Sequence, residues 1–433
     1  MASNSAPPAR LIRSVLSLVG GAAASQLVGF ISLPFLARLY QPSDFGLYGT
    51  FVLSTQLLAL ALAGRYEQPI MLAQRPEART GLALISLTLA LAFGLLAALA
   101  ASLFPILLDR WSGLQLGLGW TLVAASGTIL SWNTTLTGVA IRSGRTNVAA
   151  GNRMTKAITT VSVQFAFALC LPLTFRHWGL IAGEVVAIAF STTTMVINLR
   201  DSDILQFRQR IRRNGFRTGI PALLKRFRRF PLVNAPHAIS SAAVGLLTVS
   251  YIALHFSTVE AGQYFLMFRV VMLPASLIGS AVAPVYFRSA ADSYARDGRF
   301  EQLMWRMTAA LAAVGLVVFS VLASVGEPLF VIVLGEKWRH AGALAAIFAP
   351  YVPIHLIVSS LAPTTMVANA LTQALYASLG QSVVFLFGLW LGAQIYGTIG
   401  GAVALAVYLS VPYMVALALW YARLARGKRQ VPA

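Results

Sequence analysis

The chain reads as an all-α integral membrane protein, with twelve transmembrane helices forming two pseudo-symmetric six-helix lobes around a central cavity. Three observations predict this. Of 433 residues, 58% are hydrophobic and 11% charged, with a mean hydropathy of +0.74, whereas a soluble domain carries roughly 25% charged residues. Twelve apolar runs are long enough to cross about 30 Å of hydrocarbon at 1.5 Å per residue. Finally, Asp44-Phe-Gly-Leu-Tyr48 recurs as Glu260-Ala-Gly-Gln-Tyr264, with Gly46 and Gly262 216 positions apart, half the chain. An acid, a glycine and a tyrosine at matched spacing between long apolar runs point to two tandem copies of one membrane unit.

The first run, 14–38, follows Arg10 and Arg13 and contains Ala22-Ala-Ala24, which imitates a signal-peptide cleavage site. Apolar sequence continues through Phe35, too far for a signal core, so an uncleaved helix is expected. The second run, 45–64, opens on the repeated motif and stops before Arg65; runs 80–105 and 114–139 follow, the latter carrying Asn133. Run 154–175 contains the single cysteine, Cys170, which has no intrachain partner for a disulfide, and run 177–199 carries Glu184. The second copy reads as 232–255, 261–286 with Arg269, 303–325, 341–361, 370–391 and 397–421. Residues 1–199 and 232–433 are therefore the two lobes, joined by a basic linker at 200–231. Six crossings per half, an even number, give both halves the same orientation and relate them by an axis along the membrane normal.

The net charge of +20 is a matter of topology rather than of nucleic-acid binding. With both termini in the cytoplasm, 27 of the 33 basic residues fall on that side, leaving Arg38, Arg110, Arg176, Arg269, Lys337 and Arg339. The linker carries ten of them between Arg200 and Arg229, interleaved with Phe207, Phe216, Phe227 and Phe230. It reads as a topological anchor or as a surface helix against anionic membrane lipids, with contact to a substrate phosphate as the other reading.

Ionisable groups inside hydrocarbon cost at least about 2.5 kcal/mol, so those that persist face a cavity or a partner. Arg269 lies about 13 Å into its span and Glu184 about 10 Å into its own, both from the periplasmic side. A guanidinium at depth stays charged and offers a fork of donors matched to phosphate oxygens; the competing reading is a fixed ion pair with Glu184 or another carboxylate. Glu184 is the candidate ion-coupling group, because a desolvated carboxyl is open to large upward pKa shifts; a helix-packing role is the alternative. Gln26 and Asn133 are candidate cavity residues, while Gln56, Gln164 and Asn234 read more simply as interhelical glue. His237, after Pro236, reads as a helix-end residue.

Catalytic motifs are scarce. Asp201-Ser-Asp203 resembles the metal-holding carboxylate pair of glycosyltransferases but lacks a nucleotide-binding domain around it. No glycine-rich phosphate loop, metal-spaced histidine pair or serine elbow occurs, so neither an enzyme, a metal nor a cofactor is expected.

Several segments together resemble the oligosaccharide flippases of the polysaccharide transporter family, within the multidrug, oligosaccharidyl-lipid and polysaccharide exporter superfamily. They are Ala37-Arg-Leu-Tyr40 with Pro42, Asp44, Phe45 and Gly46; Gly64-Arg-Tyr-Glu67 with Pro69 and Ile70; Phe230-Pro231; Ala261-Gly-Gln-Tyr264 with Arg269 and Pro274; and Gly335-Glu-Lys-Trp338. The resemblance spans nearly the whole chain. It implies alternating access in the bacterial inner membrane, carrying an undecaprenyl-diphosphate-type oligosaccharide from the cytoplasmic to the periplasmic leaflet for surface polysaccharide assembly, with polymerase machinery as a partner. By motif it singles out Arg65, Glu67 and Arg269. The connection Ala362–Asn369 departs from the family pattern in lacking basic residues. The competing functions are a cation-coupled drug or metabolite antiporter of the same superfamily, for which buried acids are few, and a membrane polysaccharide polymerase or ligase, for which the periplasmic loops are short.

Overall fold

In the computed structural model, residues 8–112, 116, 117, 119–172, 178–199 and 220–427 are described. Residues 200–219 of the expected linker, including Asp201, Asp203, Phe207 and Phe216, lie outside them. The chain divides into two compact units, 1–246 and 247–433.

The first unit contains α1 (Pro8–Leu39), α2 (Pro42–Leu62), α3 (Pro76–Leu103), the short α4 (Pro105–Ser112), α5 (Gly119–Arg142), α6 (Thr146–Cys170), α7 (Gly179–Leu199) and α8 (Ile220–Arg226). It ends within α9 (Ala235–His255). Helix α6 packs on α1 and α7, and α5 packs on α2, α3 and α7. The Asp109 carboxylate fastens α4 to α5 by accepting from the Leu116 backbone N–H and from Trp120 Nε1, both at 2.9 Å.

The second unit contains α10 (Thr258–Asp297), α11 (Glu301–Leu334), α12 (Arg339–Phe348), α13 (Tyr351–Leu361), α14 (Thr364–Val367), α15 (Leu371–Tyr396) and α16 (Ile399–Ala425). Here α15 lies along α16, and α13 packs on α10 and α11.

The repeated motif is a helix start. Asp44 and Glu260 are each the third residue of their helices, α2 and α10, so the carboxylate sits where free backbone N–H groups and the positive end of the helix dipole collect. The Asp44 carboxylate accepts from the Gln41 backbone N–H at 2.8 Å. In the second copy Ser257 Oγ caps the helix by accepting from the Glu260 backbone N–H at 3.1 Å. Gly46 and Gly262, two residues on, are buried, and Tyr48 and Tyr264 each bury their rings.

Among the described residues nine helices are long and apolar enough to cross a membrane, and one bent pair makes ten. Helices α5 and α6, of 24 and 25 residues, complete the twelve. Their apolar character is diluted by hydroxyl, amide and charged side chains. Side chains such as Leu95, Leu99 and Leu103 of α3 stand more than half exposed, as a lipid-facing surface requires.

Three boundaries differ from the sequence reading. Helix α6 starts at Thr146 rather than near 154, which places Arg153 inside the helix and Lys156 two turns further from its start than expected. The tenth crossing, expected as one run over 341–361, bends by 65° between Phe348 and Tyr351, where Pro350 lacks the N–H a continuous helix needs. The ninth continues past the expected end, but Val325, at φ −130° and ψ 19°, marks a kink there.

Candidate functional site

The predicted site residues fall into three places. The first is the turn after α2. Gly64 and Arg65 both have positive φ, 54° and 60°. For arginine this is a costly conformation, held only where the surroundings fix it. Arg65 Nε donates to Asn234 Oδ1 at 3.0 Å, and Arg65 Nη1 lies 3.3 Å from Glu67 Oε1. A Cβ on Gly64 would also meet Pro231 at 3.8 Å. Glu67 is largely buried and its Oε2 has no hydrogen-bond partner. Burial therefore pushes its carboxyl above the usual range, against the opposing pull of its own backbone N–H and of Arg65.

The second is a polar track inside the first unit, where α6 presents Asn152, Lys156, Thr160 and Gln164 at four-residue spacing, hence on one face. Gln164 Nε2 donates to the Leu180 carbonyl of α7 at 3.1 Å, and the Tyr40 hydroxyl donates to the Gln164 carbonyl at 2.7 Å. Lys156 Nζ pairs with Glu184 Oε1 at 2.8 Å. Asn152 Nδ2 donates to Asn133 Oδ1 at 2.9 Å, and Asn133 Nδ2 donates in turn to Thr192 Oγ1 at 3.1 Å and Ser191 Oγ at 3.4 Å. Close approach of the two helices depends on Gly183, whose added Cβ would come within 2.8 Å of the Thr160 carbonyl. Glu184 and Asn133, separate candidates in the sequence, thus belong to one track. Lys156, the partner of Glu184, was missed because it counted only as a basic residue at the cytoplasmic start of the run 154–175; its spacing of four from Asn152 and eight from Gln164 was the available signal.

The third place is α10 of the second unit, where Arg269 lies eleven residues beyond the first residue, about 16 Å along the axis. Its side chain is exposed, beside the exposed ring of Phe268. Gln26, on α1, is exposed as well.

The family-like motifs meet in pairs. Gly64–Glu67 adjoins Pro231 and Asn234, as above. In the second unit, the Gln263 side chain donates to the Lys337 carbonyl at 2.7 Å and accepts from the Ala341 backbone N–H at 3.0 Å, joining Ala261–Tyr264 to Gly335–Trp338. Trp338 is fully buried. That second pair is scaffolding: its polar groups are consumed in holding α10 to the turn before α12.

No group of three or more metal-ligating side chains occurs among the described residues. No curated protein sequence matches the chain. Solved structures with a similar fold include an inward-facing multidrug resistance transporter of the MATE family and MOP superfamily, at TM-score 0.69 and 13% identity over 96% of this chain and 97% of that one. The lipid II flippase MurJ, in an inward closed conformation, aligns at TM-score 0.65 and 12% identity, covering 93% and 89%. A point mutant of the Vibrio cholerae MATE transporter VcmN aligns at 0.59 and 15%, covering 96% of each. These likenesses establish a shared twelve-helix fold. Residues 35–343, well over half the chain, match the family described as polysaccharide biosynthesis protein, and the chain belongs to that family.

Proposed function

We propose that the protein is a flippase moving polyprenyl-diphosphate-linked oligosaccharide repeat units from the cytoplasmic to the periplasmic leaflet of a bacterial inner membrane, with both termini cytoplasmic. Its product feeds surface polysaccharide assembly and the polymerase that extends it. Family membership supplies the link to polysaccharide, and the fold shared with a lipid II flippase supports a lipid-linked cargo. The observation that carries the reading is Arg269, an exposed residue with a permanent charge well inside an apolar spanning helix. Such a group is retained where it grips an anion, and a diphosphate matches its donor fork. Gln26 and Asn133 contribute polar contacts, and Arg65 and Glu67 guard the cytoplasmic end. The Lys156–Glu184 pair is the coupling element: a cation bound at the Glu184 carboxylate in place of Lys156 loosens α6 from α7. The basic stretch before α9 meets anionic lipids.

Transport of a fluorescent polyprenyl-diphosphate oligosaccharide in proteoliposomes tests the reading, comparing wild type with Arg269→Ala at equal reconstitution. Wild type is expected to translocate, and the variant to lose at least tenfold, the order of one charge-assisted bond to phosphate. Undiminished transport in the variant removes Arg269 from the site. No transport by wild type under imposed proton and sodium gradients removes the flippase reading.

A further inference from the structure

A cavity of about 450 Å³ opens at the start of α3, lined by Leu72, Gln74, Arg75, Arg226 and Phe227 among others, with no carboxylate among the described residues that line it. It is a built feature rather than a gap under a loose loop. Helix α8 and the residue after it lay Ile220, Leu223, Leu224 and Phe227 on the cluster formed by Tyr66, Ile70, Ala73 and Leu82. That docking fixes Arg226, whose guanidinium carbon sits 5.6 Å from the centre of the Phe227 ring. Backbone carbonyls that would repel an anion are already occupied: Arg79 donates to the carbonyls of Ala73 and Gln74, each at 2.9 Å, and Arg142 Nη2 lies 3.4 Å from the same Ala73 oxygen. Helix α3 opens at Pro76, directing the positive end of its dipole to the same place. Glu77, the nearest acid in sequence, does not line the cavity.

We propose that this cavity binds the headgroup phosphate of an anionic phospholipid of the cytoplasmic leaflet, between Arg75 and Arg226. The choice of lipid over free phosphate rests on the lip of the cavity. Leu72 is 67% exposed and the neighbouring Met71 44%, so an apolar shelf adjoins the cationic pair, as an acyl-bearing phosphate requires. The volume lies within the range of small-molecule pockets. The assignment rests on the transport reading only in placing α8 at the cytoplasmic surface, and it is tested without transport.

The test is native mass spectrometry of the full-length protein titrated with phosphatidylglycerol or phosphatidylcholine in detergent. Wild type is expected to bind phosphatidylglycerol, and Arg75→Gln with Arg226→Gln to weaken it about tenfold or more, in line with losing charge-assisted bonds. The charge-matched control, Arg296→Gln with Arg299→Gln, changes two exposed arginines outside both the cavity lining and the basic stretch and should bind as wild type. Equal loss in the control would replace the site with diffuse surface attraction. Equal binding of phosphatidylcholine, or displacement of the lipid by polyprenyl diphosphate at equal concentration, would overturn the anionic-phospholipid assignment. If the double variant does not fold, Leu72→Asn tests the shelf: weaker phosphatidylglycerol binding supports a lipid, whereas unchanged binding together with release by inorganic pyrophosphate overturns it. A protein that binds phosphatidylglycerol here and flips nothing leaves the site standing and removes only the transport reading.

Discussion

Helices α6 and α7, the fifth and sixth crossings of the first half, and α15 and α16, their counterparts in the second, both approach closely at glycines, but only the first pair adds charge across the seam. Across α6–α7 run an ion pair, a glutamine-to-carbonyl bond and, with α5, a chain of amides and hydroxyls. Across α15–α16 the backbones nearly touch: a Cβ on Gly388 would come within 2.8 Å of Ala406 Cα, and one on Gly392 within 2.8 Å of Ala402 Cα. The Tyr413 hydroxyl donates to the Ala377 carbonyl at one end of that seam, which holds no charged pair. Lipid supplies little hydrophobic drive between helices, so close van der Waals contact and polar bonds are the two available fasteners. The difference is one of adjustability. Close glycine packing has one fitted arrangement, whereas an ion pair is undone by changing either partner.

The strongest way to break this contrast is to orphan one charge. Glu184→Ala should cost about 3 kcal/mol, because Lys156 is left charged without its partner, seen as a large drop in the detergent melting temperature. Replacing both, Lys156→Met with Glu184→Met, should recover most of it. A double variant as unstable as the single one would make the pair indispensable to folding rather than adjustable. Next in size, Gly392→Val should cost about 2 kcal/mol by driving α15 off α16. A melting temperature within a degree of wild type would show that the second seam gives way easily and would end the contrast.

The smallest effect extends the comparison to the Arg65 turn. A Glu67 carboxyl raised by burial makes the folded state bind a proton more readily than the unfolded chain, so its contribution is present at low pH and is lost as pH rises through the folded value. Glu67→Gln should therefore melt above wild type at pH 8, and the gap should close towards pH 4, near the ordinary carboxylate value of about 4. A gap equal at both pH values would mean that burial does not hold the carboxyl up.

The twelve-helix class was legible because composition and apolar run length are local quantities, and the repeat located two equivalent helix starts. What failed to read was what depends on neighbours. Arg153 and Lys156 read as topological charges at the cytoplasmic side, yet Lys156 has its carboxylate on another helix. The bend at Pro350 was hidden inside a continuous apolar stretch. The positive φ of Arg65 follows from Asn234 and Glu67, the first of which lies 169 positions away. Cross-helix register carries that information, and one sequence does not display it.

The helix starts have a consequence for the chain's history. The Asp44 and Ser257 caps bind backbone within three residues of themselves, so each travels intact with its own helix when a gene segment is copied. The Lys156–Glu184 pair is drawn from two helices and survives copying only if both ends stay matched. A helix start is thus a unit that copying carries whole, whereas an ion pair between two helices is not.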